Sequence, residues 1–208
     1  MMKLRRLDPR RLLGIPNVYD SYQKMLGTQQ GRLDFIRQTI APRVKSRVLE
    51  VGCGTGINCE GFSDQIAYVG CDVSDKYINH AKETYGNRAD FYAKSVGNLR
   101  HLHLEPFDVV IALAVLHHLS DDEIMNLCDE VKELLAPGGI FITADPCFTK
   151  AQPWYSNFAT SFDRGQYVRT PSEYTSLLER KFLNVETQMH NGKLLVIPHA
   201  GFIMFAAN

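Results

Sequence analysis

Three glycines at alternate positions, Gly52, Gly54 and Gly56, follow a short apolar run that carries Glu50 near its end. Glycines so spaced permit a tight turn and let the backbone approach a ligand closely. Asp72 closes a second apolar run a little further on. A carboxylate there can accept both hydroxyls of a ribose, which points to a nucleoside-type cofactor. Dinucleotides and S-adenosylmethionine both remain open on that ground. The glycine pattern bears on the choice: dinucleotide sites favour Gly-x-Gly-x-x-Gly, with the pyrophosphate on a helix start, and this chain reads Gly-x-Gly-x-Gly followed by Ile57. The glycines alone would also suit an ordinary strand-to-helix turn; Glu50 before them and Asp72 after them argue for a site. Two further groups could do acid–base work. His117 and His118 follow a fourth apolar run and Asp145 follows a fifth, and imidazole is the side chain whose proton exchanges near neutral pH.

These residues need a scaffold that gathers them. From Arg47 to Ala144, apolar runs at 47–51, 66–72, 90–93, 107–112 and 139–144 alternate with segments of helical spacing at 75–85 and 120–135. Runs of continuous Val, Ile and Phe suit strands covered on both faces. Ser120 with Glu123 forms a capping box, and Pro137, Gly138 and Gly139 end that helix and turn the chain into a strand. The alternation predicts right-handed crossovers and a doubly wound, mostly parallel α/β sheet. Ligands in such sheets sit outside the carboxyl ends of the strands, where strand order reverses. Residues 12–40 read as a helical cap over 1–44. Residues 146–181 read as an aromatic-rich insertion followed by a helix opened by Thr170 and Pro171. Runs at 183–189 and 200–206 leave no room for a helix between them, which predicts an antiparallel strand pair at one edge of the sheet.

Composition narrows the class. With 208 residues the chain makes one domain, 1–208, large enough to bury roughly 70% of its unfolded surface. Lys plus Arg and Asp plus Glu are both 23, so the basic excess expected of a nucleic-acid partner is absent. No apolar run is long enough for a membrane span. The basic start (Lys3, Arg5, Arg6) is followed by no long apolar stretch, so a cytoplasmic protein is expected. Five cysteines without a Cys-x-x-Cys pair read as reduced, buried thiols, and no metal is expected.

Residues 48–56, Asp72, the segment 107–119 and the segment 135–142 together resemble the ordered signature of class I S-adenosylmethionine-dependent methyltransferases, over about residues 45–145. The resemblance implies a Rossmann-like sheet of seven strands with the last antiparallel. It also implies that Gly52, Gly54 and Gly56 line the methionine part of S-adenosylmethionine, that Glu50 supports its amino group, and that Asp72 binds the ribose diol. Cys53, Val73, Val96 and Ala112 go with them as cofactor-binding positions. One departure stands out. Such proteins often place an acidic residue after the third strand, facing the adenine amino group, whereas this chain reads Lys94, Ser95, Val96 there. Ser95 or the backbone would make that contact.

The sulfonium methyl is already activated, so the protein must mainly hold a nucleophile in line about 3 Å behind it and exclude water. A hydroxyl nucleophile also benefits from a base. Similar sugar and natural-product O-methyltransferases place a His and an Asp at matching positions, which makes His117 the base, with Asp145 orienting it or touching substrate, and His118 the second candidate. Adjacent histidines point in different directions, so at least one is expected to make a structural hydrogen bond. Asp108, at the far end of its strand, is expected to serve a turn. For the acceptor, a small molecule, Tyr19, Tyr22, Trp154, Arg164 and Arg169 are the recognition candidates. A guanidinium offers a planar fork to carboxylate or phosphate, although ion pairs with Asp163 or Glu173 would suit these arginines as well. Arg32 could meet the cofactor carboxylate. An N- or carboxyl-methyltransferase, or a non-catalytic cofactor-binding protein, would fit the same core. The oligomeric state is not written in the sequence.

Overall fold

A computed structural model describes residues 16, 21, 28–149, 167–191 and 200–208. Seven strands form one sheet: β1 (Arg47–Val51), β2 (Ala67–Asp72), β3 (Ala89–Ala93), β4 (Phe107–Leu113), β5 (Leu135–Pro146), β6 (Asn184–Asn191) and β7 (Ala200–Ala207). Their order is β3-β2-β1-β4-β5-β7-β6. Strands β1 to β5 run parallel, and β7 lies antiparallel between β5 and the edge strand β6. This is the Rossmann-like sheet the alternation predicts, with the order reversing between β1 and β4. The closing pair is antiparallel as expected, since its short connection excludes a crossover.

Both faces of the sheet are covered, which explains the uninterrupted apolar character of the central strands. On one face, α1 (Thr28–Phe35), the turn that follows it and α2 (Asp75–Tyr85) bury Ile36, Ile40, Ile78 and Ala81 against Val48, Val109 and Ile111. On the other, α3 (Asp121–Leu134) and α4 (Pro171–Glu179) bury Ile124, Val131, Tyr174 and Leu178 against Leu49, Val110 and Phe141. Both α3 and α4 start with complete capping boxes, Ser120 with Glu123 and Thr170 with Glu173. Glu173 is therefore a helix cap, and Arg169 pairs with Asp121 instead.

Two local expectations need correction. The helical reading of residues 12–40 holds for α1 only in part: the chain widens into a π-type turn at Ile36–Ile40 and tightens into a 3₁₀ turn at Ala41–Arg43, where Pro42 has no amide to continue the ladder. The fifth strand also begins before the expected Gly139. Leu135 already pairs with Phe107, residues 136–139 bulge out with Gly138 at φ 73°, and regular pairing resumes at Ile140 opposite Val109.

Candidate active site

The glycine turn after β1 is held by its own backbone and by Asp72. Gly52, Gly54 and Gly56 all take positive φ (69°, 55° and 81°). At Gly52 a Cβ would lie 2.8 Å from Val115 Cγ2, and at Gly56 one would lie 2.8 Å from the Phe91 ring, so side chains are excluded on both counts. Asp72 stands at the end of β2, half-buried. Its Oδ2 accepts from the Gly54 amide (3.1 Å) and its Oδ1 from the Ser74 amide (2.8 Å). The carboxylate thus braces the turn while still bordering open space.

That space is a cavity of about 340 Å³ at the carboxyl ends of the strands. Of the expected cofactor residues, Gly52, Asp72, Val73, Ser95 and Val96 line it; Val115, Leu119 and Leu127 add apolar wall from the β4–α3 side. Val73 is 80% exposed beside the Asp72 carboxylate. A bare apolar side chain next to an acceptor pair is what an adenosyl group would cover, so the residues present fit S-adenosylmethionine. Glu50 does not reach the cavity. It is 1% exposed, accepting from Asn58 Nδ2 at 2.6 Å on one oxygen and from the Tyr68 hydroxyl on the other. Burial pushes its carboxyl above the usual range despite those two donors. In this position Glu50 braces the turn from beneath through Asn58 and Tyr68. Arg32 joins the same network, donating Nε to Asn58 Oδ1 at 2.8 Å. Gly54, Gly56 and Ala112 lie outside the cavity wall, the last fully buried within β4. Cys53 is also buried, and burial pushes its thiol well up. All five cysteines are buried and none is in a disulfide; burial raises Cys59, Cys71 and Cys128 to about 12 and Cys147 to about 11, so none is poised as a nucleophile.

The histidine and aspartate of the rim do meet. The ends of β4 and β5 are neighbours, and His117 Nδ1 lies 2.8 Å from Asp145 Oδ1, with each residue 1% exposed. The same oxygen accepts the His117 amide at 3.2 Å. A carboxylate accepting at Nδ1 selects the tautomer with its proton on Nδ1 and its lone pair on Nε2. Asp145 Oδ2 is buried without a hydrogen-bond partner among the described residues. His118 is exposed, its ring centroid 4.0 Å from that of His117. Contrary to the expectation of diverging rings, the two lie against each other.

Three features of this rim carry no plain signal in the sequence. Ala114 takes φ 58°, a left-handed conformation uncommon for a residue with a Cβ, and its amide donates to Ala144 O at 2.8 Å. This kink ends β4 and leads into the turn Leu116–His118. The His117 carbonyl in turn accepts the Tyr167 amide at 2.9 Å. The third is Arg169. It is 8% exposed, and its five N–H donors go to Asp121 Oδ1 (from Nε at 3.0 Å and Nη2 at 2.6 Å), to the carbonyls of Leu116 (3.3 Å) and Tyr167 (2.9 Å), and to that of Leu119 (2.8 Å). No donor is left for a substrate anion, which corrects its assignment to substrate recognition. It is a clamp on both ends of the histidine turn. Tyr19, Tyr22, Trp154 and Arg164 lie outside the described residues. Among the described residues no cluster of His, Cys, Asp and Glu could hold a metal ion, and no helix is long and apolar enough to cross a membrane.

Comparison with known proteins adds to this geometry. Residues 48–139 match the family model described as a methyltransferase domain. The ubiquinone biosynthesis O-methyltransferase of Dechloromonas aromatica (strain RCB) is 37% identical over 114 residues, 52% of this chain and 47% of that protein. The enzyme of that name from Actinobacillus pleuropneumoniae serotype 7 (strain AP76) is 32% identical over 117 residues, 52% of this chain and 49% of that protein. The chain spans about half the length of the curated relatives it matches. Among solved structures, magnesium protoporphyrin IX methyltransferase from Synechocystis PCC 6803 with bound SAH superposes with a TM-score of 0.68 at 16% identity, covering 96% of this chain and 99% of that one.

Proposed function

We propose that this chain, which belongs to the class I S-adenosylmethionine-dependent methyltransferases, methylates a hydroxyl group of a small molecule, with His117 as the base. The observation that carries the reading is the buried His117–Asp145 pair just beyond the carboxyl ends of β4 and β5, the end of the sheet where the cofactor cavity lies. When bound, S-adenosylmethionine supplies a methyl group on a positively charged sulfur, ready for in-line displacement. His117 Nε2 accepts the acceptor's hydroxyl proton as the oxygen–carbon bond forms and the sulfur–carbon bond breaks. Asp145 holds the imidazole in the tautomer that leaves Nε2 basic, and stabilises the imidazolium that results. Asp72 holds the ribose diol, and the turn from Gly52 to Gly56 lies under the methionine portion. The O-methyltransferase names of the sequence relatives support oxygen as the atom methylated.

The test is a panel of hydroxylated small molecules incubated with S-adenosylmethionine, with methylated product identified by mass spectrometry. A methyl ether is expected from at least one hydroxyl compound, and His117→Ala should lower its rate by about 10²–10⁴-fold. Product formed at nitrogen or carboxylate, or a His117→Ala rate equal to that of the parent, would overturn the reading.

A further inference from the structure

Among the described residues, three buried side-chain nitrogen or oxygen atoms have no hydrogen-bond partner: Arg47 Nε, Thr143 Oγ1 and Asp145 Oδ2. The first stands apart, at the start of β1, where the Arg47 guanidinium lies over the Phe107 ring at 5.2 Å. The other two are neighbours. Thr143 and Asp145 are two positions apart on β5, so both side chains project to one face, the face on which Phe141 and Cys147 pack. Thr143 is fully buried and Asp145 is 1% exposed.

The two atoms are complementary: a threonine hydroxyl can donate, and a carboxylate oxygen accepts. Strand geometry keeps them from meeting directly. Residues i and i+2 stand about 6.6 Å apart along a strand, twice the rise per residue. One water hydrogen-bonded to both oxygens would span about 5.5 Å, the sum of two O–H···O distances. The flanking strands offer no polar side chain, since Thr143 sits between Ala112 and Met204, and Asp145 lies beside Phe202. Nearby donors are spent elsewhere. His117 gives its amide and Nδ1 to the other oxygen of Asp145. The Tyr174 hydroxyl donates to Pro146 O at 3.3 Å, and the Arg169 donors go to Asp121 and three carbonyls. A donor and an acceptor sharing a niche in an apolar wall are the setting in which internal water is held.

Resting on the reading of His117 as the base, we propose that Thr143 Oγ1 and Asp145 Oδ2 bind one internal water molecule, which makes Thr143 a positioning residue for that base. The water accepts from the Thr143 hydroxyl and donates to Asp145 Oδ2. The carboxylate is then tied at both oxygens, and its rotation away from the His117 ring is opposed.

The test compares the full chain with Thr143→Val, which keeps the shape and removes the hydroxyl, and Thr143→Ser, which keeps the hydroxyl. A high-resolution crystal structure of the parent should show a water within hydrogen-bond distance of both oxygens, and that of Thr143→Val none. Thermal unfolding separates the alternatives by sign. If the hydroxyl simply lacks a partner, valine relieves a burial cost and the melting temperature holds or rises. If it holds the water, its loss leaves Asp145 Oδ2 unmet and the melting temperature should fall by about 2–6 °C. Turnover of Thr143→Val should drop by about tenfold with KM and S-adenosylhomocysteine affinity unchanged, and Thr143→Ser should recover most of it. No water in the parent crystal, or a Thr143→Val protein as stable and as active as the parent, would overturn the proposal. The crystal and melting measurements need no acceptor: a His117→Ala rate equal to that of the parent would overturn the base, and the positioning role with it, while the water site is read independently.

Discussion

The two rims of the sheet each carry an aspartate, and the contrast between them separates architecture from chemistry. At the amino rim, Asp108 begins β4 and its Oδ2 takes the amides of Lys45, Ser46 and Arg47 and the Ser46 hydroxyl, at 2.6–3.2 Å. It pins the start of β1 against β4. At the carboxyl rim, Asp145 places one oxygen on His117 and leaves the other buried with no hydrogen-bond partner among the described residues. A buried acceptor left unsatisfied costs folding free energy, whereas Asp108 commits its Oδ2 to backbone amides at a half-exposed site where water can reach the carboxyl. The difference is that Asp108 ties the starts of two strands together, whereas Asp145 is turned to a histidine at their other end.

The largest expected effect comes from breaking the carboxyl-rim pair. Asp145→Asn removes the acceptor that fixes the His117 tautomer; an amide nitrogen can turn towards Nδ1 and donate to it, moving the ring proton to Nε2. Turnover should fall by about 10³-fold or more, with affinity for S-adenosylhomocysteine nearly unchanged. A steady-state assay beside a binding titration separates the two. Equal losses in both would place Asp145 in the scaffold, alongside Asp108.

The next largest effect sharpens the comparison at Arg169, which is buried like a structural group yet holds the turn bearing His117. Arg169→Ala should lower stability by about 2–4 kcal/mol, because three carbonyls and Asp121 lose their donors together. Thermal unfolding reads that loss. Arg169→Lys keeps the charge without the planar fork, and its signature should be a fall in kcat with little change in KM, since the turn loosens and no anion contact disappears. A selective rise in KM in a stably folded Arg169→Lys protein would return the residue to substrate binding.

What the sequence makes legible follows from where each residue's partners lie. The central strands can be read because both faces are covered and the apolar runs are therefore unbroken. The glycine turn and Asp72 can be read because positive φ and a strand-end carboxylate leave local marks. The pairing of His117 with Asp145 can be read from strand adjacency alone. The bracing of Glu50 cannot be read because its partners, Asn58 and Tyr68, come from a different turn and strand, and the spacing does not reveal which side of the turn faces inward. Arg169 is misassigned for the same reason: all its acceptors but Tyr167 lie about 50 positions away. The positive φ of Ala114 leaves no mark at all, since alanine is an ordinary residue for a strand end.

The smallest expected effect belongs to the amino rim. Burial alone would raise the Asp108 carboxyl, but the amides of Arg47 and Ser46 and the Ser46 hydroxyl outweigh it and hold the group below its ordinary value of 3.8. A carboxylate more acidic in the folded chain than in the unfolded one stabilises the fold above that ordinary value, and the contribution fades as the pH falls through the lower folded value. Asp108→Asn should therefore cost about 1 kcal/mol near neutral pH, a modest figure because the site is half-exposed and solvent shares in the loss. The deficit should shrink in strong acid, where the parent carboxyl is itself protonated. Chemical unfolding of both proteins at neutral and acidic pH measures the difference directly. Turnover should stay at the parent level throughout the neutral range, because Asp108 stands at the opposite rim from the cofactor cavity. A deficit that persists undiminished in acid would show that the amides hold Asp108 by geometry and not by its charge.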